Sequence, residues 1–301
     1  MKKLLVASAA LTVALILAPG LKAQTTIVGW SFENDSIATN NSPLASTNAI
    51  LSGTYAADSI GMNVYATPNV GVTQDDIDQG ASGDTGANGL ADLTHTWRIR
   101  GQAGTMGAAN GWSSLAPIAS QGAQFFASTA GYSATSYNSL LISFDWYSTT
   151  QGEANLELMY TDNDGSTWTN LPITLGAGDS AAEILNGTDS NTTSGSYISD
   201  NKLNNSLAGQ DWLTNLTATI TDPGAFNDSE FGIEMVNAST GADDVSTQGT
   251  ALNNNSGNWR FDNVSISAQS VPEPSTYAIV AAGAFILIAG SKRFRSNFRG
   301  A

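Results

Sequence analysis

The sequence predicts an all-β protein, a two-sheet antiparallel sandwich of jelly-roll-like topology, flanked by two ends that do not belong to the fold. Apolar and polar residues alternate with period two in about nine segments, as expected for half-buried strands. The same part of the chain is rich in Ser, Thr, Asn and Gly, which favour strands and polar turns over long helices. Such strands, with no helical blocks between them, are typical of two packed sheets.

The N-terminus has the layout of a secretory signal peptide covering Met1–Ala23. Lys2 and Lys3 form a positive region, and an apolar region follows at residues 4–17. Cleavage after Ala23 would start the mature chain at Gln24. An uncleaved N-terminal anchor is the alternative.

The body of the chain, residues 24–270, contains the predicted strands. In the first of them Val28, Trp30 and Phe32 fall on one face, and the last has a register break near Asp262. Pro172 demotes the fourth strand to an edge or a bulge. Residues 186–205 and 237–257 are polar, low-complexity stretches that predict long surface loops. The clearest strands are Thr26–Phe32, Leu140–Tyr147, Ala154–Tyr160, Trp168–Leu175, Leu213–Ile220, Phe231–Val236 and Trp259–Ile266, with weaker candidates at Thr94–Arg100 and Ala123–Phe126.

Charge and residue usage exclude several classes of function. The chain has 11 basic and 26 acidic residues; seven of the basic and one of the acidic residues lie in the two ends, so the body keeps 4 basic and 25 acidic residues, a net charge of −21. Nucleic acid is therefore excluded as a partner. With no cysteine and a single histidine, His95, the chain has no thiol chemistry and no multi-histidine metal site. Since no Gly-x-Ser-x-Gly motif occurs either, we expect no enzyme activity.

Residues Thr161–Trp168 form a turn motif between two predicted strands. They fit the Asp-box pattern S/T-x-D/N-x-G-x-T-W, with Asn163 in the acidic position. We expect a structural hairpin in which Gly165 takes a positive φ and Trp168 packs under the turn. A calcium loop using Asp162 and Asp164 is the alternative, although it lacks the usual final Glu.

The first and last strands of the body carry a resemblance of their own. Residues 30–34 read W-S-F-E-N and residues 259–266 read W-R-F-D-N-V-S-I. This resembles the opening and closing strands of carbohydrate-binding-module-like jelly rolls. The resemblance implies that the two strands are neighbours and that a structural calcium ion lies near them, with Glu33 and Asp262 as ligands by position. The alternative is that both are ordinary polar residues at strand ends.

Sugar binding would need exposed aromatic rings, because a flat ring stacks on the C–H face of a pyranose. Aromatic residues in or beside predicted loops are the candidates, although most aromatic residues of a sandwich belong to its core or rim. The candidates are Trp112, Tyr132, Tyr137, Tyr147 and Trp212.

The C-terminal segment 271–301 has the order of a sorting tail. Pro272-Glu273-Pro274 is followed by an apolar segment, with a transmembrane helix expected at about residues 277–291, and then by a basic stop formed by Lys292, Arg293, Arg295 and Arg299. The two prolines keep the motif extended. This order resembles the PEP-CTERM sorting signal of Gram-negative bacteria. The resemblance implies transient anchoring in the inner membrane and processing by an exosortase, a membrane protease-transpeptidase.

Three functions are compatible with these features. The first is a non-catalytic surface or extracellular-matrix protein, exported, trimmed at its tail and associated with exopolysaccharide. The second is a carbohydrate-binding adhesin module, and the third is a glycan-active hydrolase that uses two carboxylates. Coplanar exposed aromatic rings would favour the second, and a cleft with two carboxylates about 5–9 Å apart would favour the third.

Overall fold

The chain is represented by a computed structural model that describes residues 24–33, 43–45, 47–48, 55–60, 76–78, 95–100, 121–149, 152–153, 155–176, 184–185, 202–204, 212–238 and 257–270. The predicted signal peptide, the sorting tail and Trp112 lie outside these residues. Among the described residues, no helix has the length and apolar character needed to cross a membrane.

The described residues form strands and one short 3₁₀ turn at Pro223–Ala225. The strands are β1 Gln24–Trp30, β2 Thr47–Asn48, β3 Ala57–Ile60, β4 Asp76–Asp78, β5 Thr96–Arg100, β6 Gly122–Phe126, β7 Tyr137–Ser148, β8 Asn155–Thr161, β9 Thr169–Leu171, β10 Ile184–Leu185, β11 Lys202–Asn204, β12 Leu213–Ile220, β13 Gly232–Asn237 and β14 Asn258–Ser270.

These strands form two antiparallel sheets, which confirms the all-β prediction. The first sheet has the order β12-β7-β14-β1-β2, and β5 pairs with both β14 and β4. The second sheet has the order β10-β11-β8-β13-β6-β3, with β9 beside β8. The central strands of both sheets are long and apolar on one face, whereas the outer strands are short, apart from the eight-residue β12. Short outer strands leave few unpaired backbone groups at the sheet edges.

The first and last strands are neighbours, as predicted. β14 pairs through its first four residues with β5, where Trp259 lies opposite Ile99 and Phe261 opposite Trp97. Beyond that point β14 lies beside β1, and the side-chain oxygens of Thr26 and Ser267 are 3.5 Å apart. β14 therefore changes its partner on this side part-way along its length.

The change of partner coincides with the predicted register break in β14. Asn263 has a φ of 51°, in the left-handed region, where asparagine is tolerated better than most residues. The side chains that face the core are Trp259 and Phe261 before this point and Val264 and Ile266 after it, and all are at most 1% exposed. A bulge of this kind shifts the alternation by one residue and keeps both halves of the strand on the core.

Aromatic rings from both sheets meet in the core. The Phe125 ring on β6 makes edge contacts with Trp30, Trp97 and Phe261, at centroid distances of 5.1, 5.8 and 6.1 Å. These four side chains are fully buried. Because the partners of Phe125 come from β1, β5 and β14, this contact holds the second sheet to the centre of the first.

Two sequence-based expectations need correction. The predicted strand Trp168–Leu175 is shorter than expected: β9 has three residues and pairs with β8 at the sheet edge, as Pro172 predicted, and Thr174 makes an isolated bridge to Thr217. The predicted loop at residues 186–205 contains the strand β11, whose Leu203 lies opposite Leu156. A three-residue strand gives too few alternations for period two to be visible in the sequence.

The hairpin between β8 and β9 has the predicted structural turn. The Asn163 side-chain oxygen accepts a hydrogen bond from the Thr167 backbone N–H at 2.9 Å, and Gly165 has a φ of 76°. The Trp168 ring lies 6.1 Å from the Phe126 ring, and a Cβ added at Gly165 would come within 3.4 Å of the Trp168 side chain. The turn is therefore closed by its own side chains.

Candidate functional site

The predicted ligand pair lies at the place where β14 changes partner. Glu33 follows β1, and Asp262 begins the bulge of β14. Asp262 is fully buried, its Oδ1 accepts from the Asn263 N–H at 2.8 Å, and its Oδ2 has no hydrogen-bond partner. Burial raises the pKa of Asp262 to about 8; the Asn263 hydrogen bond opposes this, and the charges of Asp145 and Glu33 add to it. Glu33 and Asp262 are thus close enough to interact electrostatically.

Asp145 on β7 is a third carboxylate of this group. Its Oδ1 accepts from the Asn215 N–H at 2.6 Å, and its Oδ2 accepts from the Asn263 side-chain amide at 2.7 Å. Asn263 therefore links Asp145 to Asp262. The sequence did not indicate this role, because alternation in β7 places Asp145 on the outer face, where a charged residue needs no special explanation. Only the pairing of β7 beside the bulge shows it.

The start of β5 completes the group. The His95 ring Nδ1 donates to the Glu33 carbonyl oxygen at 3.2 Å, so the lone histidine ties the end of β1 to the start of β5. Thr96 is buried, and its hydroxyl has no hydrogen-bond partner. Trp97 lies opposite Phe261 in the antiparallel pairing of β5 and β14. The same register places Thr96 next to Asp262. Two polar atoms without partners are therefore buried at the same level of the sheet.

This group has the chemistry of a hard-cation site. A buried carboxylate oxygen without a partner is unfavourable unless it is protonated or bound by a cation. Carboxylate, hydroxyl and carbonyl oxygens are the ligands that Ca²⁺ takes. Among the described residues, however, no three or more Asp, Glu, His or Cys side chains are arranged to hold a metal ion. Glu33 and Asp262 would need further oxygens, such as the Thr96 hydroxyl, backbone carbonyls or water, to form a complete calcium shell.

An open groove on the surface meets this group at Asn263. It has a volume of about 230 Å³ and follows the junction of β1 and β14. Its lining includes Thr26, Ser31, Asn263 and Ser265. Asn263 is exposed, so solvent and small ions reach the edge of the acidic group at this point.

The four described candidates for sugar stacking form two pairs. Tyr132 and Tyr137 meet edge to face at 5.1 Å, and Tyr147 and Trp212 lie 5.5 Å apart with their planes tilted by 37°. Tyr132 and Tyr147 are only 4% and 5% exposed, whereas Tyr137 and Trp212 are half-buried. Neither pair is coplanar. Tyr147 is also covered by the Arg260 guanidinium, 5.5 Å from its ring centroid.

The second sheet contains a pair of glutamates that the sequence did not single out. Val236 lies opposite Glu157, so Glu234 and Glu157 are diagonal neighbours on β13 and β8. They are 2% and 0% exposed. The side-chain amide of Gln124 donates to Glu234 at 3.2 Å, and burial raises the pKa of Glu234 to about 7 despite this bond. Such burial leaves no open cleft around the two carboxylates.

No family model matches this chain, and no curated protein matches it in sequence. Two solved structures resemble it weakly. One is the N-terminal CBM22-1 and GH10 modules of a Clostridium thermocellum endo-1,4-beta-D-xylanase with xylohexaose, at 10% identity and a TM-score of 0.36, covering 83% of this chain and 29% of that one. The other is a proposed sugar-binding protein from Bacteroides thetaiotaomicron, at 8% identity and a TM-score of 0.28, covering 71% and 87% of the two chains. Neither similarity is high enough to assign a function.

We predict that calcium stabilises the body through Glu33 and Asp262. A ligand that binds only the folded state adds about 2.7 kcal/mol at 100 times its dissociation constant. Millimolar calcium should therefore raise the melting temperature of residues 24–270, and EDTA should lower it. Glu33→Gln and Asp262→Asn should each abolish the difference.

Asp164→Asn is the matched control, because Asp164 is exposed in the β8–β9 turn. It should keep the calcium effect. Loss of the effect in this variant alone would instead locate the ion in the turn, and identical melting curves with and without calcium would exclude the site near Glu33.

The raised pKa of Glu234 predicts a pH-dependent stability. The folded state keeps a proton that the unfolded state loses between the ordinary pKa of 4.5 and the raised value of about 7, so the free energy of unfolding should fall as pH rises through this window. The Glu234→Gln variant should have the same free energy of unfolding as the parent near pH 4.5. Above about pH 7 its free energy of unfolding should be higher than that of the parent. Glu230→Gln, at an exposed glutamate, should leave the pH profile unchanged. Urea unfolding at several pH values across this window measures the free energy of unfolding of each protein. If that free energy changes with pH in the same way in the parent and in Glu234→Gln, the prediction is wrong.

Proposed function

We propose that this chain is an exported, non-catalytic protein of the cell surface or extracellular matrix, sorted through its C-terminal tail and associated with exopolysaccharide. The observation that carries the proposal is the position of the tail relative to the fold. The compact unit covers Thr25–Ala268, β14 ends at Ser270, and the sorting motif starts at Pro272. The motif thus follows the last strand directly and is not needed to complete the sandwich.

The character of the body supports a secreted location. A net charge of −21 on residues 24–270 favours solubility outside the cell, and the fold is held by a large aromatic core without any disulfide bond. The acidic group at Glu33 and Asp262 suits a compartment in which calcium is available. We further propose that the two sheets have jelly-roll topology, which the pairing of the first and last strands supports.

The sorting proposal predicts that mature protein lacks its tail. Intact-mass measurement of protein recovered from the cell surface or medium should find Tyr277–Ala301 missing and Met1–Ala23 removed. Replacing Pro272-Glu273-Pro274 with three alanines should leave the tail in place, because the processing enzyme would lose its recognition motif. Surface protein that keeps residues 277–301 would contradict the proposal.

A carbohydrate-binding module is the second candidate, and Trp212 is the observation that favours it. Its ring is half-buried and lies beside Tyr147, which in turn lies under Arg260. The partly exposed Trp212 ring offers a stacking surface, whereas Tyr147 and Arg260 beneath it are each only 5% exposed. The glutamate pair of the second sheet is buried, so the described residues give a hydrolase no comparable support.

We predict that any glycan binding depends on Trp212. A glycan array with residues 24–270, in calcium and in EDTA, should show a ligand that Trp212→Ala loses. Trp168→Ala is the matched control, because Trp168 is also half-buried but packs in the β8–β9 turn. If the Trp212→Ala variant still binds the glycan, Trp212 is not part of the binding site. If no glycan on the array binds, the protein has no ligand among those tested, and the matrix-protein proposal is the one that stands.

A further inference from the structure

Phe32, two residues past the end of β1, has a backbone conformation that bulky residues rarely adopt. Its φ is 58°, in the left-handed region. Five non-glycine residues in the described part of the chain have a positive φ, and the other four are aspartate or asparagine, which tolerate it. A strained residue persists only where the surrounding structure enforces its conformation. Phe32 therefore marks a constraint on the chain just after β1.

Two contacts with the start of β5 supply this constraint. The Phe32 side chain is fully buried, and its ring lies 6.2 Å from the ring of Trp97. At the next residue, the Glu33 carbonyl oxygen accepts a hydrogen bond from the His95 Nδ1 at 3.2 Å. Because a carbonyl oxygen can only accept, Nδ1 is the nitrogen that carries a proton here. The chain is thus fixed at two consecutive residues, by a side chain and then by the backbone.

The same contacts decide where Glu33 lies relative to the buried oxygens of the acidic group. The pKa of Asp262 is raised first by burial and to a smaller extent by the charges of Asp145 and Glu33, so Glu33 is within electrostatic reach of Asp262. His95 is followed directly by Thr96, whose buried hydroxyl has no hydrogen-bond partner and lies next to Asp262. His95 therefore connects the backbone of Glu33 to the strand that carries Thr96.

Glu33 needs such a connection because its side chain is exposed. Ionised carboxylates repel one another, so an exposed glutamate beside Asp262 would turn away into solvent unless its backbone were fixed. A cation would then have to order the turn as well as bind its ligands, and the loss of conformational freedom would reduce its affinity. A turn that is already fixed removes this cost.

We propose that His95 is a positioning residue, whose hydrogen bond to the Glu33 carbonyl holds the strained turn and places the Glu33 carboxylate where it can share a cation with Asp262. The inference rests on the calcium site predicted above and gives a role to the single histidine of the chain. His95 is not itself a ligand, because calcium takes oxygen ligands. Groups that orient a metal ligand in this way typically contribute about 10- to 100-fold in metal affinity.

The test compares two replacements of His95 in the full-length chain, purified in detergent and freed of metal. His95→Asn keeps a side-chain N–H donor, whereas His95→Leu has similar bulk and no donor. The probe is Tb³⁺, which takes the same oxygen ligands as Ca²⁺ and is detected by its luminescence and by competition with Ca²⁺. Only the signal that Asp262→Asn abolishes is assigned to this site. Melting in EDTA reports the stability of each metal-free variant.

We expect His95→Leu to weaken Tb³⁺ binding by about tenfold or more and His95→Asn to bind within a few-fold of the parent. Ser128→Ala is the matched control. It removes another side-chain donor to a backbone carbonyl, that of Asp228, at the same distance of 3.2 Å, and it should not change Tb³⁺ binding. Binding is measured below the EDTA melting temperature of every variant, so that loss of the fold is not mistaken for loss of the site.

The remaining outcomes contradict the inference and can be told apart. Parental affinity in His95→Leu would show that the hydrogen bond does not position Glu33. Equal weakening in His95→Leu and His95→Asn would show that the ring matters and its donor does not. If His95→Leu does not fold, His95→Ala also lacks the donor and carries the same expectation. If the parent gives no Tb³⁺ signal that depends on Asp262, the calcium prediction itself is wrong, and this inference falls with it.

Discussion

The structure depends above all on the pairing of β14 with three other strands. β14 has β7 on one side, and β5 and then β1 on the other. Because β1 and β5 follow one another along the same side of β14, the ladder is interrupted where one ends and the other begins. The residues flanking this gap are Glu33, His95 and the bulge at Asp262. Two side-chain oxygens are buried beside this gap without a hydrogen-bond partner, the Oδ2 atom of Asp262 and the hydroxyl oxygen of Thr96.

This explains why the acidic group lies where it does. The bulge at Asn263 keeps both halves of β14 on the core, and it also turns the Asn263 amide towards Asp145. The arrangement that preserves hydrophobic packing is therefore the one that concentrates carboxylates. In a body with a net charge of −21, such a concentration is unfavourable unless a proton or a cation compensates it. The proposed calcium ion would stabilise the point at which three strands meet.

Most of the central strands could be predicted from the sequence because apolar and polar residues alternate in them over enough positions to be recognised. β12 was predicted with its observed bounds, and the register break near Asp262 was visible as a shift of apolar positions by one residue. The short strands β2, β3, β4, β10 and β11 were not predicted. Strands of two to four residues are defined by the neighbour they pair with and carry almost no pattern of their own.

The candidate sites were harder to predict for a related reason. Glu33 and Asp262 were predicted from the resemblance of the first and last strands of the body to those of a known family. Asp145 and Thr96 lie near them only because of the way the strands pair, which the sequence does not show. Glu157 and Glu234 lie on the outer face of their sheet, where alternation predicts exposure, yet both are buried. Local pattern distinguishes the two faces of a strand, but it does not show what covers the outer face. The buried ring of Tyr147 has the same explanation, whereas Tyr132 lies in a loop and packs into the core.

The pairing of the chain ends also has a consequence for folding. Thr26 and Ser267 are 241 residues apart in sequence, so the contact between β1 and β14 is among the least local in the fold. Contacts of this kind form late, because closing a long loop opposes them until other structure is in place. If the chain is exported from its N-terminus, β1 has no central partner until β14 has crossed the membrane. The first sheet would then close only when the last strand of the body is available to pair with the first.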